Sequence, residues 1–196
     1  MTPTFFEYTF ATPALRDLVR SAWSVSYTSA SGPMPGVIAP DAHVEFVFQT
    51  GAPCTMLTGG TTGERSSPRA MIFGLRHGAL QLKAAGDNSI IGVRVPPAVA
   101  SVILRQPLRE CWDQPVALRD LIGPEADELL DRIAETPPRE LGAILESWLL
   151  ARLSDWGAEE SRNLDLQHAL MWRVAGEPVS VLAEDVGVTL RTLRRY

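Results

Sequence analysis

Histidine, cysteine and lysine are scarce in this sequence, and each scarcity narrows what the chain can do. There are three His, two Cys and a single Lys among 196 residues. Cys54 and Cys111 stand far apart with no metal-ligand spacing, which points to two reduced thiols. No apolar run approaches the ~20 residues that span a bilayer, and the N-terminus lacks a basic-then-apolar signal pattern. A cytoplasmic protein with no membrane partner is expected. Strand–turn–helix nucleophile motifs, Gly-rich phosphate loops and paired Cys motifs are missing too. Gly59, Gly60 and Gly63 lack the Lys and flanking pattern of a phosphate cradle, so they read as a flexible loop. No catalytic residue and no cofactor are therefore expected.

What is present fits one ordinary globular domain with a small appendage, at 45% hydrophobic residues. Charge is unevenly spread. Residues 1–109 carry a formal +3, residues 110–185 carry −11, and residues 186–196 carry +3 from three arginines. The acidic middle repels phosphates and leaves the terminal segment as the one basic stretch.

Periodicity changes once along the chain. Pro13 to Val19 fits a short helix with a helix-compatible Pro at its start. Ala22 to Tyr27 alternates, with Trp23, Val25 and Tyr27 on one face. Thr28 to Gly36 reads as a Ser-, Gly- and Pro-rich loop. His43 to Thr50 is the clearest strand, with Val44, Phe46 and Phe48 on one side and His43, Glu45, Val47 and Gln49 on the other. A short strand at Met56–Leu57 and a polar surface loop from Thr58 to Pro68 follow. Strands are expected over Met71–Leu75, Ala79–Ala84 and Ser89–Val95, with turns at His77-Gly78 and Gly86-Asp87-Asn88. Short strands at such intervals predict a compact β barrel or jelly roll. After Pro97 the spacing becomes helical, over Ala98–Leu104, Leu118–Ile122, Pro124–Glu135 and Pro138–Leu153. The broad apolar face of the last one suits internal packing or, less simply, a dimer seam.

The stretch from Val179 to Tyr196, VSVLAEDVGVTLRTLRRY, has the spacing of a helix-turn-helix. Leu182, Val186, Val188 and Leu193 supply a small shared core, and Ala183 permits close approach. Gly187 suits the sharp helix exit and Thr189 suits the N-cap of the second helix. Arg191, Thr192, Arg194 and Arg195 remain for an outer face that meets phosphates and base edges. Asp165 to Ala175 would be the supporting helix, behind a polar linker. An ordinary helical hairpin with a solvated basic face is the blander alternative.

These residues resemble the first helix-turn-helix of AraC-type transcriptional regulators: Leu182-Ala183, Gly187-Val188-Thr189, Arg191, Leu193 and Arg195. The front of the chain is similar to the sensory half of one branch of that family, at Val19–Trp23, Pro40-Asp41, Ile91-Gly92-Val93 and the helix after Pro96-Pro97. The resemblance implies an α+β fold: a cupin-like β sensor domain over 1–110, an acidic helical packing or dimerisation segment over 111–157, and a helix-turn-helix unit over 165–196. It implies a bacterial, ligand-responsive DNA-binding protein with a small-molecule effector and a homodimeric arrangement. Members of the family carry a second helix-turn-helix, and the chain ends at Tyr196 within the first reading helix. A regulatory domain with an incomplete DNA-binding domain is therefore expected, weak or inactive on DNA by itself.

Candidate DNA contacts are Thr189, Arg191, Thr192, Arg194 and Arg195. Candidate effector contacts are Trp23, Tyr27, His43, Glu45, Gln49, Arg76 and His77, as polar points and flat walls of a barrel mouth. A solvated sheet face explains the same residues equally well. His43, Glu45 and His77 also suggest a metal-bearing cupin-type enzyme, but the usual barrel centre offers more ligands and no metal is expected here. A third alternative is a dimerising regulatory protein that no longer binds DNA. An electrostatic hypothesis joins the basic tail to the acidic residues Glu125, Asp127, Glu128 and Asp131.

Overall fold

The computed structural model describes residues 3–28, 34–40, 42–58, 65–84, 86–154, 156–158, 160, 161, 180, 181 and 189. The chain divides into two compact units, Met1–Asp155 and Trp156–Tyr196. The expected supporting helix and all of the helix-turn-helix except Ser180, Val181 and Thr189 lie outside the described residues.

Among the described residues, the first unit holds ten strands. They are β1 (Thr4–Glu7), β2 (Ser21–Tyr27), β3 (Met34–Ile38), β4 (Val44–Gly51), β5 (Cys54–Thr58), β6 (Arg65–Ser66), β7 (Ala70–Phe73), β8 (Leu80–Ala84), β9 (Asn88–Val95) and β10 (Pro115–Ala117). The helices are α1 (Pro13–Leu18), α2 (Pro97–Leu104), α3 (Leu118–Ile122), α4 (Glu125–Glu135) and α5 (Leu141–Arg152).

Strand pairing explains the architecture. β2 with β9, β3 with β8, β4 with β7 and β5 with β6 are antiparallel pairs, so the chain runs out to β5 and returns beside itself. Two more pairings, β4 with β9 and β5 with β8, roll this long ribbon into two sheets. Their orders are β1-β2-β9-β4-β7-β10 and β3-β8-β5-β6. This is a double-sheet jelly roll. The fold is α+β and cupin-like.

The larger sheet is buried on both sides. Its inner face, carrying Val47, Met71, Phe73 and Ile90, packs on Cys54, Met56 and Leu80 of the smaller sheet. Its outer face, with Val44, Phe46, Phe48, Ile72, Ile91 and Val93, is fully buried beneath helices. Trp148 of α5 meets the Phe46 and Phe48 rings edge-on, with centroids 5.4 and 6.0 Å away. That is the favoured aromatic geometry.

Helix placement follows from sequence. α5 buries Leu141, Leu145, Trp148 and Leu149, a one-sided repeat of three or four. α2 begins with Pro97 in its first turn and ends at Arg105, which adopts the left-handed conformation (φ 55). Glu125 on α4 binds α5 twice: it accepts from Trp148 Nε1 at 3.1 Å and from Arg152 at 2.9 Å. Arg152 Nε also donates to the Ile103 carbonyl of α2, at 2.6 Å. Glu146 of α5 accepts from the backbone N–H groups of Ala11 and Thr12, at 3.0 and 2.7 Å, at the start of α1. Tyr8 donates to the Pro138 carbonyl (2.8 Å), so its contact with Ser24 (2.6 Å) uses the serine proton.

Two expected loops are partly strand. The loop expected over Thr28–Gly36 gives way to strand β3 from Met34, and Pro115–Ala117 is strand β10. The expected surface loop Thr58–Pro68 includes β6 and, next to its end, Ser67, which is buried. The helices after residue 110 share one unit with the strands, α4 lying against β4 and β7 and α3 against β7 and β10. Glu125 is also no free acidic surface group, since Trp148 and Arg152 hold it, and Asp127 is paired with Arg119.

Trp148 is the joint between helices and sheet. Trp148→Ala is expected to lower stability by about 3–5 kcal/mol, and Trp148→Phe by clearly less, in urea unfolding followed by circular dichroism.

Candidate functional site

Alternation along β4 decides what the barrel contains. Because Phe46 and Phe48 face the helices, Glu45, Val47 and Gln49 face the opposite sheet. Both polar side chains are buried, Glu45 at 4% exposure and Gln49 at 2%. The residues expected on a polar strand face are thus inside the barrel.

Two polar groups divide the interior. At one end, register places Glu45 beside Arg94 of β9 and Phe73 of β7. Glu45 Oε1 accepts from Trp23 Nε1 at 3.2 Å and lies 3.6 Å from the Arg94 guanidinium. A buried carboxylate needs such partners, because removal from water costs more than one weak contact recovers. Trp23 reaches Glu45 across Gly92, where a Cβ would overlap the indole. Phe5 stacks on the same indole, with centroids 6.5 Å apart.

At the other end, Tyr27, Asn88 and Gly51 lie in one row across β2, β9 and β4. Gln49 is one row away, opposite Ile90. Ser67 shares its hydroxyl proton between Gln49 Oε1 and the Cys54 carbonyl, both at 3.0 Å. Asn88 Nδ2 donates to Cys54 Sγ at 3.7 Å. Burial pushes the Cys54 thiol up, so it stays protonated and unreactive at neutral pH. Tyr27 is raised as well, first by burial and then by Cys54 nearby.

The other expected effector contacts are less central. His43 is half-buried in the segment leading into β4. Arg76 is half-buried over the Phe73 ring, 5.3 Å from its centroid, and donates to the Ala39 carbonyl at 3.4 Å. His77 does not join the interior. Its side chain is 86% exposed, its Nδ1 lies 2.7 Å from Asp113 Oδ2, and its N–H donates to Asp113 Oδ1 at 2.7 Å. The turn at His77-Gly78 carries the ring outward, where Asp113 clasps it. Among the described residues no three His, Cys, Asp or Glu side chains converge as a metal site would need. Of the trio His43, Glu45 and His77, Glu45 is engaged by Trp23 and Arg94, and His77 by Asp113.

Sequence reasoning missed Ser67, Asn88, Gly92 and Arg94. Asn88 read as part of a turn and Ser67 as part of a loop. Strict alternation through β9 (Asn88, Ile90, Gly92, Arg94) carried the signal for three of them. Of the expected DNA contacts, Thr189 alone is a described residue, and Arg191, Thr192, Arg194 and Arg195 lie outside the described residues.

A family model described as a domain of unknown function, DUF6597, matches residues 9–132. The chain belongs to that family. Its match takes in β2 to β10 and most of α4, so both polar groups of the barrel lie within the DUF6597 region. Comparison with curated proteins gives no match. Among solved structures, the chain is similar to the AraC-like transcriptional activator CuxR, at 9% identity and TM-score 0.38, covering 96% of this chain and 77% of that one. It is similar to ToxT from Vibrio cholerae O395 at 6% identity and TM-score 0.37, covering 99% and 72%. The EutQ protein of Clostridium difficile matches at 10% identity and TM-score 0.33, covering 48% and 64%. All three are distant and carry no functional argument.

The Asp113 clasp sets a pH test. Hydrogen bonds from the His77 backbone and ring, then the His77 charge, hold the Asp113 carboxyl below its usual range. A carboxyl depressed by folding stabilises above its unfolded value of about 3.9, and that contribution disappears as pH falls through the folded value. Asp113→Asn keeps the residue's tolerance for its positive φ (57) while removing the charge. It is expected to be less stable than the parent at neutral pH and to converge with it only as pH falls from about 3.9 through the depressed folded value, in urea midpoints measured across pH.

Proposed function

We propose that this chain holds the ligand-sensing domain of a bacterial transcriptional regulator of AraC type, followed by residues of its DNA-reading helix-turn-helix. The carrying observation is the sequence Val179–Tyr196, where the core, turn, cap and arginine positions of such a unit are filled together. The cupin-like barrel supports the sensing half, because its interior holds Glu45, Gln49, Asn88 and Arg94 among apolar walls and aromatic rings. Binding there, rather than catalysis, is the role proposed.

The mechanism is linkage. A molecule bound in the barrel favours one arrangement of the helices packed on its larger sheet, and that arrangement alters how the DNA-reading unit is presented. Arg191, Arg194 and Arg195 act on phosphates and base edges, with Thr189 capping the reading helix and Thr192 beside the duplex. Homodimerisation would set the spacing of two half-sites.

The test is selection of duplexes from a random-sequence pool by the full-length protein. Enrichment of a defined sequence is expected. Combined Arg191→Ala and Arg195→Ala changes should weaken binding by at least about tenfold and reduce its salt dependence. No enrichment, or unchanged affinity in the double variant, would contradict the proposal.

A further inference from the structure

The end of the barrel away from Glu45 holds two amides with incomplete hydrogen bonding. Gln49 and Asn88, 2% and 4% exposed, sit on paired strands β4 and β9 and project inward from neighbouring rows. Ser67 engages Gln49 Oε1, and Asn88 Nδ2 is directed at Cys54. Gln49 Nε2 and Asn88 Oδ1 are buried without any hydrogen-bond partner. Buried polar atoms left in that state cost free energy that a complementary group recovers. In the arrangement present, the complement is an acceptor for Gln49 and a donor for Asn88. Turning both amides over exchanges the two roles and leaves the same pair, one donor and one acceptor.

We propose that this end of the barrel binds a small uncharged molecule with a carbonyl acceptor next to an N–H donor, of the primary-amide or lactam class. The Gln49 amide donates to the carbonyl, and the ligand N–H donates to the Asn88 carbonyl oxygen. Val25, Met56 and Ile90 supply the apolar wall for its hydrocarbon part. A carboxylate fits poorly, because it would set a charge against the Asn88 carbonyl and offer no donor to it. Both amide atoms are closed to solvent, so entry requires a wall residue to move. Tyr27, opposite Asn88 on β2 and only half-buried, is placed to be that residue.

This deepens the sensing half of the proposed function and rests on it, without depending on DNA binding. The experiment is thermal unfolding and calorimetric titration of the whole 196-residue chain with 2-pyrrolidone, N-methylpyrrolidone and acetate. 2-Pyrrolidone is expected to raise Tm with concentration. N-methylpyrrolidone, which keeps the acceptor and lacks the donor, is expected to bind at least about tenfold more weakly. Acetate should have no effect beyond its ionic strength. Asn88→Leu, which nearly retains shape and removes the acceptor for the ligand N–H, should abolish the difference between the lactams, whereas Gln49→Met should weaken both alike. Equal shifts from both lactams, no shift from either, or unchanged selectivity in Asn88→Leu would overturn the proposal. Should that variant fail to fold, the comparison of the two lactams on the unaltered chain decides alone. A complete regulator that binds DNA but ignores both lactams overturns this inference only. Selective lactam binding by a protein that enriches no DNA sequence overturns only the DNA-reading half of the proposed function.

Discussion

A strand covered on both faces has nowhere to put a polar side chain except among other protein groups, and β4 is such a strand. Six consecutive residues from Val44 to Gln49 are buried. Phe46 and Phe48 fit the helical side, where Trp148 closes on them. That choice forces Glu45 and Gln49 into the barrel, where each must find hydrogen bonds or lose stability. Glu45 obtains them from Trp23 and Arg94, and the opening over Gly92 lets the indole reach it. Gln49 obtains only part of its complement, from Ser67. The difference between these two residues separates a structural polar group from one with capacity left for a ligand.

The helices are what make β4 a two-sided strand. Without α4 and α5 its phenylalanine face would meet water, and the apolar face rather than the polar one would turn inward. Glu125 ties these two helices together through Trp148 and Arg152, and Arg152 reaches α2 as well. A change inside the barrel therefore acts on the same sheet that the helices grip. Cores packed this way move between discrete arrangements rather than deforming smoothly, as the proposed sensing role requires.

Central and edge strands differed in how well they could be read. β2, β4, β7, β8 and β9 carry clear apolar patterns with turn residues between them, and the jelly roll follows from their pairing. β3 and β6, which read as loop, and β1 and β10, which the periodicity does not mark as strands, all stand at sheet edges. Pro35 and Pro115 explain two of these cases. An edge position leaves one side of a strand unpaired, so a residue with no N–H is tolerated there although it argues against a strand in sequence. The candidate site was half legible. Trp23 and Tyr27 alternate onto one face of β2, Glu45 and Gln49 onto one face of β4, and these faces do turn to the interior, whereas His77 was grouped with them by residue type and its turn carries it out to Asp113. Ser67 and Asn88 sit where polar residues ordinarily mark turns, and only the facing sheet reveals that they are inside.

The claim on which all of this depends is that the polar side of β4 is shut inside the barrel instead of forming a solvated sheet face. Thiol titration of folded Gln49→Cys measures it directly, with Ser66→Cys as an exposed reference and the buried Cys54 and Cys111 as internal ones. The account predicts that the thiol introduced at position 49 reacts as slowly as the two native ones and far more slowly than the one at position 66. Reaction at position 49 as fast as at position 66 in the folded protein would contradict it.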